Sequence, residues 1–198
     1  MLLALALIYR RLLAGWVIAT GDLHTYFFPY WTAAARAFQA GHLPLWNPHL
    51  FAGAPLLANS QVGVFYPLNW PLWLLSGPTL PGMVRTLHLS VVLHLMLAAL
   101  ATYGLARRWR MAAGAAALAG LLYAGSGYLG VQTEHLNQLQ GLAWLPLVLL
   151  PGDRRGWPAP LSVGAMAMIL LAGHTQTAFI AALAATVWRL GMGLRRGD

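Results

Sequence analysis

The sequence predicts an all-α fold, a polytopic bundle of transmembrane helices with a long segment on the outer membrane face. Three observations carry that prediction. Hydrophobic residues make up 59% of the 198 residues and charged residues 8%, whereas an ordinary soluble domain has about 25% charged residues. Several apolar runs approach the roughly 20 residues needed to cross a bilayer. The arginines stand in short clusters at the ends of those runs, at Arg107, Arg108 and Arg110, then Arg154 and Arg155, then Arg195 and Arg196, as the positive-inside rule expects of cytoplasmic loops.

The net charge of +8 and the pI near 10.9 would fit a nucleic-acid binder if the basic residues formed a stripe for phosphates. They do not, so the bilayer is the expected partner and no nucleic acid is. Cysteine is absent, which excludes a disulfide framework and thiol chemistry and leaves the redox compartment unread.

Taken in order, residues 1–20 predict a partial first span. The apolar run 1–9 is interrupted by Arg10 and Arg11 before 12–19 resumes, and each arginine at the centre of a span costs roughly 2.5–3.5 kcal/mol. A signal peptide would carry its positive charge before the apolar stretch, and no small-residue cleavage site stands out. The start is therefore expected inside the first span of a longer gene product. The closing Arg195-Arg196-Gly197-Asp198 reads as a loop between helices.

Residues 21–84 are too polar and proline-rich for a simple span yet dense in tryptophan, tyrosine and phenylalanine, which predicts an outer segment lying on the membrane. Residues 22–40 fit an amphipathic helix with Tyr26, Phe27, Tyr30, Trp31, Ala34 and Phe38 on one side. Trp46, Trp70 and Trp73 suit an interfacial belt. Prolines at 44, 48, 55, 67 and 71 break the remainder into turns and short helices.

Five transmembrane helices follow, over 85–106, 111–131, 136–151, 157–173 and 175–193, with Arg189 snorkelling from the last. Placing the arginine clusters inside makes the connections alternate without conflict. Residues 107–110 and 152–156 are inner, and 21–84, 132–135 and 173–176 are outer. This predicts a multi-pass membrane protein with the long segment 21–84 on the outer side.

Only four acidic residues exist, and this topology separates them. Asp153 sits beside Arg154 and Arg155 as an inner-loop charge, and Asp198 is terminal. Asp22 and Glu134 fall on the outer side. Asp22 suits the N-cap of the following helix, a role compatible with catalysis: a carboxylate at a lipid-facing cleft can act as general base on an acceptor hydroxyl or hold a divalent cation through oxygen. Glu134, His135, Asn137 and Gln138 at one outer turn, and His174, Thr175 and Gln176 at the next, converge on the same membrane face. Polar residues there mark a cavity or simply meet water and headgroups.

Other patterns carry less. His88 and His94 do not share a helix face, so they make no metal pair. His42 and His49 have no cysteine or carboxylate nearby to complete a zinc site. Gly125, Gly127 and Gly130 spell a dinucleotide-binding pattern without a preceding strand, and close helix packing explains them better.

The blocks Gly21-Asp-Leu23, Phe28-Pro-Tyr30, Gly41-His-Leu-Pro-Leu-Trp-Asn-Pro48, Gly53-Ala-Pro55, Ala58-Asn59, Gln61 and Phe65-Tyr-Pro-Leu-Asn69 resemble the bacterial YfhO family of membrane proteins. Glu134-His-Leu-Asn137 and Gly173-His-Thr-Gln176 look like that family's next outer loops. The resemblance spans nearly the whole chain and corresponds to the N-terminal part of longer family members.

It implies a GT-C-like glycosyltransferase that takes a sugar from a polyprenyl-phosphate donor and passes it to a cell-envelope glycan or lipid acceptor on the outer face. Asp22 matches the catalytic carboxylate. His24, Glu134, His135, Asn137, His174 and Gln176 are the implied sugar-, phosphate- or metal-binding groups, joined by Trp46, Asn47, Gln61 and Tyr66 of the aromatic block. Arg36 and Arg85 are the outer arginines suited to a donor phosphate. The expected cofactor is none or a divalent cation, Mg or Mn, on Asp22 and Glu134. The alternative is a non-catalytic transporter or envelope assembly factor using the aromatic segment as a lid or docking surface. Transporters place their sites near the midplane, whereas these polar groups cluster at the outer interface.

Overall fold

A computed structural model of the chain describes residues 1–14, 21–77, 79–152 and 159–196. Part of the expected first span, the Asp153–Arg155 loop and Asp198 lie outside the described residues. The described chain is mostly helical. Its elements are α1 (Leu2–Ile8), α2 (Arg10–Leu13), a π-helical turn Leu23–Phe27 running into α3 (Phe28–Gln39), β1 (Trp46–Asn47), β2 (Ala54–Pro55), a 3-10 turn Ser60–Val62 and α4 (Asn69–Leu75). Then come α5 (Leu80–Arg108), α6 (Ala113–Ala124), α7 (Gly127–Val131), α8 (Leu136–Val148), α9 (Pro160–Leu171) and α10 (Thr175–Arg196).

Among the described residues two stretches, Leu80–Arg108 and Ala113–Val131, are long and apolar enough to cross a membrane. The first has well-defined ends. The Thr79 hydroxyl accepts from the Gly82 amide at 3.2 Å, and Arg107 and Arg108 occupy the last turn, where cations complement the helix dipole. α8 and α9, at 13 and 12 residues, are shorter than a full crossing, which takes about 20 residues.

Packing follows side-chain size. α5 buries Met83, Leu87, Val91, Leu95 and Ala98 along one stripe. α6 meets α5 through Ala116, Gly120 and Ala124, a four-residue spacing of small side chains that lets backbones approach. Gly120 lies against the Ala99 carbonyl, where a methyl group would clash. The larger side chains of α6, Leu118 and Leu122, are exposed, as are Leu89 and Leu93 of α5, Val163 and Leu170 of α9, and Phe179, Leu183 and Val187 of α10. α6 thus turns alanine and glycine inward against a stripe of leucine, valine and alanine on α5, while other leucine, valine and phenylalanine side chains stay exposed on the far faces of the helices.

The 21–77 segment folds onto the helices as a cap. Residues 23–39 are helical, with Phe27, Trp31 and Ala34 buried. Trp31 donates to the Val62 carbonyl at 3.2 Å and meets Trp73 edge-on at 5.5 Å. Gln39 donates to the Trp73 carbonyl at 2.8 Å, and Tyr26 donates to Asn59 Oδ1 at 2.8 Å. β1 and β2 form a two-residue antiparallel pair, Trp46 opposite Pro55, too small to alter the all-α class.

Candidate functional site

Three connections meet at one end of the helices. Asp22 stands just before the Leu23–Phe27 turn, and its Oδ2 lies 3.2 Å from His135 Nδ1. Asp22 is 55% exposed and His135 36%, so the pair faces open space. Gly21, at φ +70°, lies directly against the Glu134 carboxylate; a side chain there would occupy the carboxylate's position. Both described carboxylates therefore belong to one locus.

The third connection, between α9 and α10, joins them. His174 Nδ1 accepts from the Thr177 amide at 3.2 Å and from its hydroxyl at 2.7 Å, capping the start of α10 and leaving the proton of the neutral ring on Nε2. Burial, and then the neighbouring His135, hold the His174 imidazole below its usual pKa. Gly173, at φ +85°, is pressed against the Ser60 carbonyl and the Gln61 amide, which brings exposed Gln61 to this turn. Asn137 is buried, with Oδ1 accepting from the Gln138 amide at 2.9 Å and Nδ2 without a hydrogen-bond partner. His24 stacks on Phe28 with centroids 6.4 Å apart and lies near His88 of α5, while its Nε2 lacks a hydrogen-bond partner. Gln176 is exposed on the first turn of α10.

The remaining expected residues stand elsewhere. Arg36 lines a cavity of about 150 Å³ with Thr32, Gln39 and Thr79, and Arg85 is exposed on α5. Trp46 covers Gly53. Asn47 is buried and its Oδ1 accepts from the His49 amide at 3.0 Å, a turn-fixing contact. Tyr66 is fully buried: its oxygen accepts from Trp144 Nε1 at 2.7 Å and its hydroxyl meets His94 Nε2 at 2.8 Å.

Tyr66 belongs to a buried polar ladder that sequence reasoning missed. Gln140 Nε2 donates to Asn69 Oδ1 at 2.7 Å and approaches Ser90 Oγ at 3.4 Å. Asn69 Nδ2 donates to the Gly63 carbonyl at 3.0 Å. One signal was available, since Ser90 and His94 lie four residues apart on one face of an apolar helix.

Among the described residues no group of three or more His, Cys, Asp or Glu side chains could hold a metal ion. The locus holds two described carboxylates, Asp22 and Glu134, and a magnesium-like ion takes one or two carboxylates while keeping most of its waters. Chemically, the locus combines an open carboxylate, a second carboxylate, two imidazoles and an amide on one surface. A mostly helical chain whose described residues include two helices of membrane-crossing length, capped by an aromatic segment that contributes Asp22 to this cluster, is the class of protein the fold defines. Comparison with family models, curated proteins and solved structures finds no match for it.

Proposed function

We propose that the chain is a multi-pass protein of the bacterial cytoplasmic membrane, related to the YfhO family, and builds the outer catalytic face of a GT-C-type glycosyltransferase. The Asp22–His135 pair is the observation that carries this reading. A carboxylate from the cap and an imidazole from the 132–135 connection, far apart in sequence, meet at an open surface where an acceptor hydroxyl can approach.

In the proposed reaction Asp22 takes the proton of the acceptor hydroxyl. The acceptor oxygen bonds to the anomeric carbon on the face opposite the phosphate, the bond from that carbon to the phosphate oxygen breaks, and the polyprenyl phosphate leaves with the electron pair. The anomeric centre inverts. His135 orients Asp22, and His24, Gln61, Asn137, His174 and Gln176 are the sugar-binding candidates. A Mg or Mn ion, where the reaction uses one, would be held by Asp22 and Glu134 and would supply positive charge beside the departing phosphate.

The membrane reading is supported by the exposed leucines, valines and phenylalanine on α5, α6, α9 and α10 and by the alanine and glycine seam of α6, an arrangement suited to a lipid solvent. Arg107 and Arg108 in the last turn of α5 support an outer position for the cap at its other end.

The test is sugar transfer from a labelled polyprenyl-phosphate donor in membranes containing the protein, native against Asp22→Asn at matched level. Loss of a general base predicts a decrease of about 10²–10⁴-fold. Equal transfer removes Asp22 from the role. No transfer by either protein across several donors favours a non-catalytic membrane protein.

A further inference from the structure

Away from that site, Arg189 is half-buried on α10. Its Nη2 donates to the Ser162 hydroxyl at 2.7 Å and to the Val148 carbonyl at 3.4 Å, and Ser162 Oγ itself donates to Val148 at 2.7 Å. These bonds tie α10 to the start of α9 and the end of α8. Both Arg189 bonds leave from one nitrogen, whereas a guanidinium carries five N–H donors and a charge that nothing removes.

Arg189 lines a groove of about 430 Å³ between α9 and α10, walled by Val163, Met166 and Leu170 on one side and Ala182 and Ala185 on the other. The alanines leave the open width; the larger side chains make it apolar. The charges around it are one-sided. The described carboxylates, Asp22 and Glu134, both lie at the Gly21–His135 locus. At the Arg189 end, Trp188 meets Trp109 with ring centroids 5.2 Å apart. That contact brings the end of α5, with Arg107 and Arg108, alongside.

From this combination we infer that the α9–α10 groove binds an anionic phospholipid, with the headgroup phosphate on Arg189 and an acyl chain along Val163, Met166 and Leu170. The fork of a guanidinium matches phosphate oxygens. A basic pocket between helices at the cytoplasmic side is where anionic headgroups are held, and paired tryptophans suit the headgroup level. The inference rests on the membrane reading and is independent of sugar transfer.

The test is native mass spectrometry of the full chain purified in a neutral detergent, titrated with phosphatidylglycerol, phosphatidylcholine or inorganic phosphate. One phosphatidylglycerol is expected to remain bound under conditions that strip phosphatidylcholine. Arg189→Gln should weaken its retention at least about tenfold, a loss of 1.4 kcal/mol or more. Ala182→Leu, which fills the groove and leaves Arg189 in place, should do the same, and Arg107→Gln should not. Equal retention of the two lipids overturns the proposal, as does full competition by inorganic phosphate or a loss on Arg107→Gln matching that of Arg189→Gln. Should Arg189→Gln fail to fold, Ala182→Leu decides alone: undiminished retention in that variant overturns the groove. Sugar transfer measured on the same preparations separates this outcome from the fate of the Asp22 proposal.

Discussion

The Tyr66 hydroxyl donates to Nε2 of His94 at 2.8 Å. The direction follows from the neighbours: His94 Nδ1 lies 2.7 Å from the Ser90 carbonyl, which can only accept, and Trp144 Nε1 can only donate to the Tyr66 oxygen. Nδ1 therefore carries the proton of the neutral ring, and one oriented chain runs from α8 through the cap into α5. Tyr66 and His94 are buried, where water does not compensate a missing partner, and Trp144 is partly buried.

Tyr66→Phe keeps the ring and removes the hydroxyl, leaving His94 Nε2 and Trp144 Nε1 without partners. An unsatisfied buried group costs about 1–3 kcal/mol, so the variant should unfold at a clearly lower temperature in detergent. An unchanged midpoint would mean that the ladder contributes nothing to holding the cap on the helices.

His135→Ala tests positioning apart from proton transfer. Asp22 stays present but loses the imidazole that orients it, and misplacement of a reacting group costs up to about 10²-fold in rate. On the proposed reading the expected result is a lowered kcat with KM for the acceptor little changed. A kcat matching the native protein would remove His135 from the site.

Stability should depend on His174 in a defined direction. Its folded pKa lies below the usual 6.5 because burial and His135 disfavour the cation. Its contribution is therefore full above about pH 6.5 and is lost as pH falls from there through the folded value, where the unfolded chain binds the proton more readily. Thermal unfolding at pH 7.5 and pH 5 should show a smaller acid-side loss for His174→Gln than for the native chain. Identical losses would assign the acid sensitivity elsewhere.

Gly173→Ala introduces a methyl group against the Ser60 backbone at a φ of +85°. Left-handed backbone alone costs roughly 1–2 kcal/mol for an L-residue, and the neighbouring backbone cannot yield as a flexible side chain would. The variant should lose stability and expose the 60–61 segment to protease before the rest of the cap. Wild-type digestion kinetics would show that the turn and the cap are not in contact.

The helical class, two helices of crossing length and the helix following Asp22 were legible in the sequence, because each depends on local composition and period. Apolar runs of about 20 residues and arginines at their ends act through neighbours in the chain. The Thr79 cap of α5 and the small-residue stripe of α6 are local in the same sense. What only the tertiary structure decided is which polar residues meet. Nothing near Asp22 in sequence indicates that its partner is His135, that Glu134 lies against Gly21, or that Ser60 covers Gly173. Nor does the run 41–69 disclose that Tyr66 enters the helix interior while Trp46 stays at the surface. The physical reason is that a buried polar group must find a partner wherever the packed helices place one. Pairings such as Tyr66 with His94 are therefore chosen by the relative rotation and depth of whole elements, quantities that no local stretch of residues encodes.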